Sequence, residues 1–171
     1  DLEGRIMKMS LERCATLEDF EEMLNDLPKP LGVEANFGVI DANGGAAYYE
    51  VDNFKFIKYD ANDPTVAPNG YLIRTNYSFA GEENKGYGYI RYETAKGLFE
   101  NQTKDGKIPF EFLINDVPRC LVHSFTNTDL SKNLPEEKDS NYVYFRDYIP
   151  RHSTSAAIVV QGVKENESAS L

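Results

Sequence analysis

Apolar residues recur at helical spacing at the start of the chain. Leu2, Ile6 and Met9, with Met7, Leu11 and Cys14 widening the stripe, predict a helix over residues 5–14. Thr16 followed three positions later by Asp19 has the form of a capping box, and Leu17, Phe20, Met23, Leu24 and Leu27 give the second helix its apolar face. Pro28-Lys29-Pro30 ends that helix, because proline offers no amide hydrogen and disfavours the helical conformation of the residue before it. Strand signals then take over. Residues 36–40 form a short apolar strand, Asp41-Ala42-Asn43-Gly44-Gly45 is a hairpin turn, and Ala46–Val51 is the return strand. Residues 53–59 alternate apolar with polar, the period of a half-buried strand. After a loop over residues 60–70 containing Pro64, Pro68 and Asn69-Gly70, Tyr71–Thr75 reads as a further strand.

The second half repeats this order. A glycine-bearing loop (Gly81, Gly86, Gly88) leads to a helix over Tyr89–Asn101, with Ile90, Tyr92 or Ala95, Leu98 and Phe99 along one side. Pro109–Asn115 opens another helix with proline at its first turn, and Pro118–Phe125 continues it or forms a further short one. Residues 126–141 form a polar loop, Tyr142–Ile149 is a strand, and Ser153–Gln161 is a small-residue strand suited to the middle of a sheet. Helices, then strands, then helices, then strands describe an α+β architecture rather than alternating β-α-β units. A chain of 171 residues suits a single domain, residues 1–171, with enough length to bury a core.

Composition narrows the function classes. Twenty-eight acidic residues against 18 basic ones leave a net charge of −10, which argues against partners that present phosphates, nucleic acid or an anionic membrane surface. No run of 18 apolar residues is present to span a bilayer. All the aromatic weight lies in 11 tyrosines and 10 phenylalanines, residues able to wall a pocket while offering phenol hydroxyls to it.

Several residues are candidates for chemistry. Cys120 and His123 would share a face if they stood on a helix, as a nucleophilic dyad or half a metal site; a packed thiol and a surface imidazole are the plainer account. Cys14 lies on the core side of the first helix pattern as a small buried hydrophobe. Asp60, Asp63, Glu82 and Glu83 stand in loops, at spacings that match no calcium-binding loop. Residues 74–88 read as a loop able to act as a lid. Thr75-Asn76 places short hydrogen-bonding side chains at a predicted strand end, as an Asx turn or as part of a site.

The run Ala35–Glu50, containing VIDANGGAAYYE, together with GYLIRTNYSF at residues 70–79, resembles the peptidase C45, or acyl-coenzyme A:6-aminopenicillanic acid acyltransferase-like, family, and more distantly the choloylglycine hydrolases. The stretches Gly4–Pro30 and Arg151–Val163 look like the same family, so the similarity spans nearly the whole chain. The resemblance implies an N-terminal-nucleophile (Ntn) hydrolase, an αββα sandwich of two antiparallel sheets flanked by helices. It would act on linear amide C–N bonds through a thioester acyl-enzyme, as amidohydrolase or acyltransferase, with an N-acyl amide substrate and no cofactor or metal. It also implies that Asn76 is a donor to the oxyanion, with Thr75, Tyr77 and Phe79 around the substrate, the two aromatic rings serving equally well as core. Arg151, or Ala156 in an alternative placement, falls where the family has an arginine near its nucleophile. The family's nucleophile is a cysteine exposed as the first residue of a mature chain, and Asp1, Cys14 and Cys120 do not match it. The expected nucleophile therefore lies on an upstream segment or a partner chain, and this chain alone is expected to be inactive. The alternative is a non-catalytic binding or interaction domain that reuses the fold.

Overall fold

The first fixed point of the fold is Thr16. In the computed structural model, which describes residues 2–82, 85–102, 108–132 and 146–163, the Thr16 hydroxyl accepts from Asp19 N at 3.1 Å while the Asp19 carboxylate accepts from Thr16 N at 3.0 Å. This capping box separates α1 (Leu2–Arg13) from α2 (Leu17–Asp26). At the other end of α2, the Lys29 ammonium donates to the Leu24 carbonyl at 2.6 Å, placing positive charge at the helix C-terminus.

A three-stranded antiparallel sheet follows, β1 (Ala35–Ile40), β2 (Ala46–Val51) and β3 (Phe56–Asp60), in the order β1-β2-β3. Its register sets Phe37 opposite Tyr49 and Val51 opposite Phe56, so these residues share one face. Helix α2 covers that face. The Phe20 ring lies 5.0 Å from Tyr49 and 6.2 Å from Phe37, both edge-on, and Phe20, Leu24 and Tyr49 are essentially without exposure. The buried Tyr49 hydroxyl donates to Glu21 at 2.9 Å, and Lys58 pairs with the same carboxylate at 2.9 Å. Burial, then the Glu21 hydrogen bond, push the Tyr49 pKa far up, so the phenol remains a neutral donor.

Both hairpin turns are built by an aspartate. The β1–β2 turn matches the reading of residues 41–45: Gly44 takes a positive φ of 87°, and Asp41 Oδ1 accepts from Asn43 N and Gly45 N, each at 2.8 Å. Asp41 Oδ2 accepts from Leu17 N at 3.1 Å, which ties this turn to the first turn of α2. The β2–β3 turn was hidden in the sequence. Asp52 Oδ1 accepts from Phe54 N and Lys55 N, so residues 52–55 turn instead of beginning a strand, and Phe54 is left 69% exposed.

The chain divides into two compact units, Asp1–Lys85 with Gln161–Leu171, and Gly86–Val160. In the second, α3 (Tyr89–Gln102) carries a short hairpin, β4 (Val122–His123) and β5 (Thr128–Asp129). The joint is polar: Thr94 Oγ1 donates to Ile90 O and accepts from Ser124 N, and Ser124 Oγ also donates to Ile90 O. Phe99 and Phe112 stack edge-on at 5.1 Å.

The chain is thus α+β with small antiparallel sheets. Several expected elements take other forms. Tyr71–Thr75 joins no strand ladder among the described residues. The helix expected over 109–115 is present from residue 110, but only residues 110–111 are α-helical; it passes into a π-helical turn, Phe112–Asp116, closed by Val117 N donating to Phe112 O, and then a 3-10 turn, Val117–Arg119. Pro118 supplies no N–H, so a regular helix cannot run through it. The continuation expected over 118–125 is the β4 hairpin. Of the strand expected at 142–149, residues 142–145 lie outside the described residues and 146–149 form turns and bends. Residues 153–161 pair with no strand among the described residues, and Ile158 is 83% exposed. No helix among the described residues is long and apolar enough to cross a membrane.

Asp41 offers a test of this framework. Its carboxyl is only slightly buried; burial pushes its pKa up, but the N–H groups of Gly45, Leu17 and Asn43 outweigh that and hold it below the ordinary 3.8. The stabilisation is therefore complete above the unfolded-state pKa and is lost as pH falls through the folded one. Asp41→Ala should cost about 1–2 kcal/mol at neutral pH. In urea denaturation the gap from the parent should narrow below about pH 4; a gap independent of pH would contradict the assignment.

Candidate functional site

The second face of the β1–β3 sheet has a different character. Its register places Asn36 opposite Glu50 and Gly38 opposite Tyr48, with Tyr48 in turn opposite Tyr59. A Cβ at Gly38 would lie 3.0 Å from the Tyr48 ring, so a side chain there would require that ring to shift. Residues 71–80 cross over this face. From Thr75 onward the polar groups of this segment are engaged by side chains that rise from the sheet.

Two of those side chains are central. The Asn36 carboxamide donates to the carbonyls of Thr75, at 2.8 Å, and Tyr77, at 3.3 Å. Glu50 accepts from Ser78 Oγ at 3.0 Å, Phe79 N at 3.1 Å and Ala80 N at 2.8 Å, and its Oε1 lies 3.4 Å from Arg74 Nε. The Glu50 and Arg74 side chains are 5% and 8% exposed. The Arg74 guanidinium stacks within 4.2 Å of the Tyr59 ring centroid and 4.8 Å of Phe79, with Tyr48 at 5.8 Å. Burial, then the Glu50 charge, push the Tyr59 pKa up, opposed by Arg74.

Four of the residues expected at a site fall in this segment. Asn76 is exposed at a bend, between the two carbonyls that Asn36 holds. Thr75 Oγ1 accepts from Tyr77 N at 3.2 Å, an ordinary turn bond that shapes the bend. The rings of Tyr77 and Phe79 meet edge-on at 5.3 Å, and Phe79 is partly exposed. The fifth, Arg151, belongs to the second unit. Its backbone exchanges hydrogen bonds with Thr154, and its charge, after burial, pushes the Arg91 pKa down against the opposing influence of Asp147. The segment from Arg74 to Ala80 is held against the sheet, which does not suit the lid reading of that loop.

The remaining candidates separate. Cys120 and His123 share no helix: His123 stands on β4, where its Nδ1 accepts from Thr126 N at 3.2 Å and its ring lies 5.3 Å from that of Tyr148. Burial pushes the Cys120 thiol pKa up, and does the same for Cys14, which donates to the Met23 sulfur at 3.8 Å. Neither thiol is activated as a thiolate. Asp60 and Asp63 close local turns, Glu82 pairs with Lys85, and Glu83 lies outside the described residues. Among the described residues no three His, Cys, Asp or Glu side chains gather as a metal site.

Asn36, Glu50 and Arg74 were not singled out from the sequence. The signal was present: Asn36 and Glu50 are polar in the phase opposite to Phe37 and Tyr49, and Arg74 ends an apolar run. Comparison with known protein families, with curated proteins and with solved structures finds no match to this chain.

Asn36→Ala removes both donors while leaving the Thr75 and Tyr77 carbonyls partly buried. It should cost about 1–3 kcal/mol and raise hydrogen exchange at Tyr77 N. Unchanged exchange there would mean that the bend is fixed by other groups.

Proposed function

We propose that this chain is part of a cysteine Ntn hydrolase acting on linear amide C–N bonds, as amidohydrolase or acyltransferase, and that it contributes the oxyanion donor Asn76. The carrying observation is the exposed bend at Asn76, held on either side by the Asn36 carboxamide. An oxyanion donor must be fixed before charge develops, since reorganisation during reaction forfeits the stabilisation. The resemblance of VIDANGGAAYYEV and RTN to the C45 family supports the same residue. In this reading the three-stranded sheet is one portion of an αββα sandwich.

The chemistry runs as follows. A cysteine thiol, its proton taken by its own α-amine, attacks the carbonyl of an N-acyl amide. The tetrahedral oxyanion accepts an N–H from the Asn76 carboxamide, and collapse expels the amine with the transferred proton. Water or a second amine then resolves the thioester. Burial pushes the pKa of the Cys14 and Cys120 thiols up, and in the C45-like reading the nucleophile is a different cysteine, on an upstream segment or a partner chain. Tyr77 and Phe79 flank the acyl or amine group.

A non-catalytic binding or interaction domain that reuses the fold is the competing reading. Kinetics of the intact protein on a panel of N-acyl amides separates the two. Asn76→Ala should lower kcat by about 10²–10³-fold. Full kcat in that variant refutes the oxyanion role, and saturable binding without turnover selects the binding domain.

A further inference from the structure

We propose that Glu50 is a positioning residue for Asn76, acting through the backbone that carries it and not through contact with substrate. The inference rests on the oxyanion reading of Asn76. Its basis is where the four Glu50 contacts fall along the chain. Arg74 lies two residues before Asn76; Ser78 lies two residues after it, followed by Phe79 and Ala80. One buried carboxylate therefore holds both ends of the segment with Asn76 at its middle. Asn36, directly opposite Glu50 in the ladder, holds the carbonyls of Thr75 and Tyr77 between those ends.

The chemistry of the two oxygens explains why glutamate is required. Oε1 faces Phe79 N at 3.1 Å and Arg74 Nε at 3.4 Å; Oε2 faces Ser78 Oγ at 3.0 Å and Ala80 N at 2.8 Å. Three of the partners donate hydrogen bonds and the fourth, the Arg74 guanidinium, brings a positive charge; an ionised carboxylate, which only accepts, suits all of them. A glutamine of the same shape would aim an N–H₂ at one pair of donors, leaving at least one backbone N–H without its acceptor. The segment would then shift, and a displacement of about 1 Å at a reacting centre costs about 10²-fold in rate. Arg74 supplies the compensating charge from within its aromatic stack, an arrangement that lysine, lacking a flat guanidinium, does not reproduce.

The test is a double-mutant cycle with a second, spectroscopic readout. In the intact protein, Glu50→Gln should lower kcat by about 10²-fold with KM little changed. In an Asn76→Ala background it should lower kcat no further, because the two act as one unit. Backbone amide signals of residues 75–77 and the Asn76 carboxamide signal should move in Glu50→Gln. Additive losses in kcat, or unmoved signals, overturn the positioning role. Moved signals with full activity in Asn76→Ala instead refute the oxyanion reading and leave the positioning standing. Should Glu50→Gln fail to fold, Ser78→Ala removes one contact while keeping the ion pair, and the same signals must move in it.

Discussion

A carboxylate out of water governs one side of the first unit. Ionised Glu50 on the sheet would be several kcal/mol unfavourable without compensation. The compensation is a guanidinium and three hydrogen-bond donors drawn from residues 74–80. The demand for those partners decides the path of the chain. Residues 74–80 lie against the sheet, where their donors reach the Glu50 carboxylate. The Arg74 charge is in turn sheltered by Tyr59 and Phe79, so the pair needs little help from solvent.

The sheet therefore works as a divider with two unlike faces. Helix α2 seals one face with Phe20 and Leu24 against Phe37 and Tyr49, where non-directional burial dominates. The other face is held by directional contacts from Asn36 and Glu50. Asp41 joins the two systems, since it builds the β1–β2 turn and also receives the first amide of α2. A change in that turn would be felt in the helix layer and in the strands that present Asn36 and Glu50. The bend carrying Asn76 is thus supported by a framework whose core lies on the opposite side of the sheet.

Legibility in the sequence followed the range of the interactions. The capping box at Thr16 and Asp19, the end of α2 at Pro28 and the turn at Asn43-Gly44 depend on neighbours a few residues apart, and each could be read directly. The turn at residues 52–55 is just as local but was masked, because aromatic alternation through Phe54 and Phe56 imitates a strand while Asp52 gathers the amides that a strand would need. In the second unit, Phe112–Asp116 and Val117–Arg119 could not be told from a regular helix by periodicity alone.

The candidate site was legible only in part. Asn76 and its neighbours stood out as polar and aromatic residues after an apolar run, and the family resemblance attached a role to them. The groups that hold them come from strands 39 and 24 residues or more away along the chain, and no local pattern records such pairings. The sequence by itself determined the two leading helices, their boundary, the first hairpin and the α+β class, because propensity, capping and turn chemistry act within a few residues. Only the tertiary structure decided that Tyr71–Thr75 is not a strand, that Cys120 and His123 share no helix, and that Asn36, Glu50 and Arg74 converge around the bend at Asn76. Those outcomes depend on which buried charge meets which distant donor, a choice settled when the sheet forms.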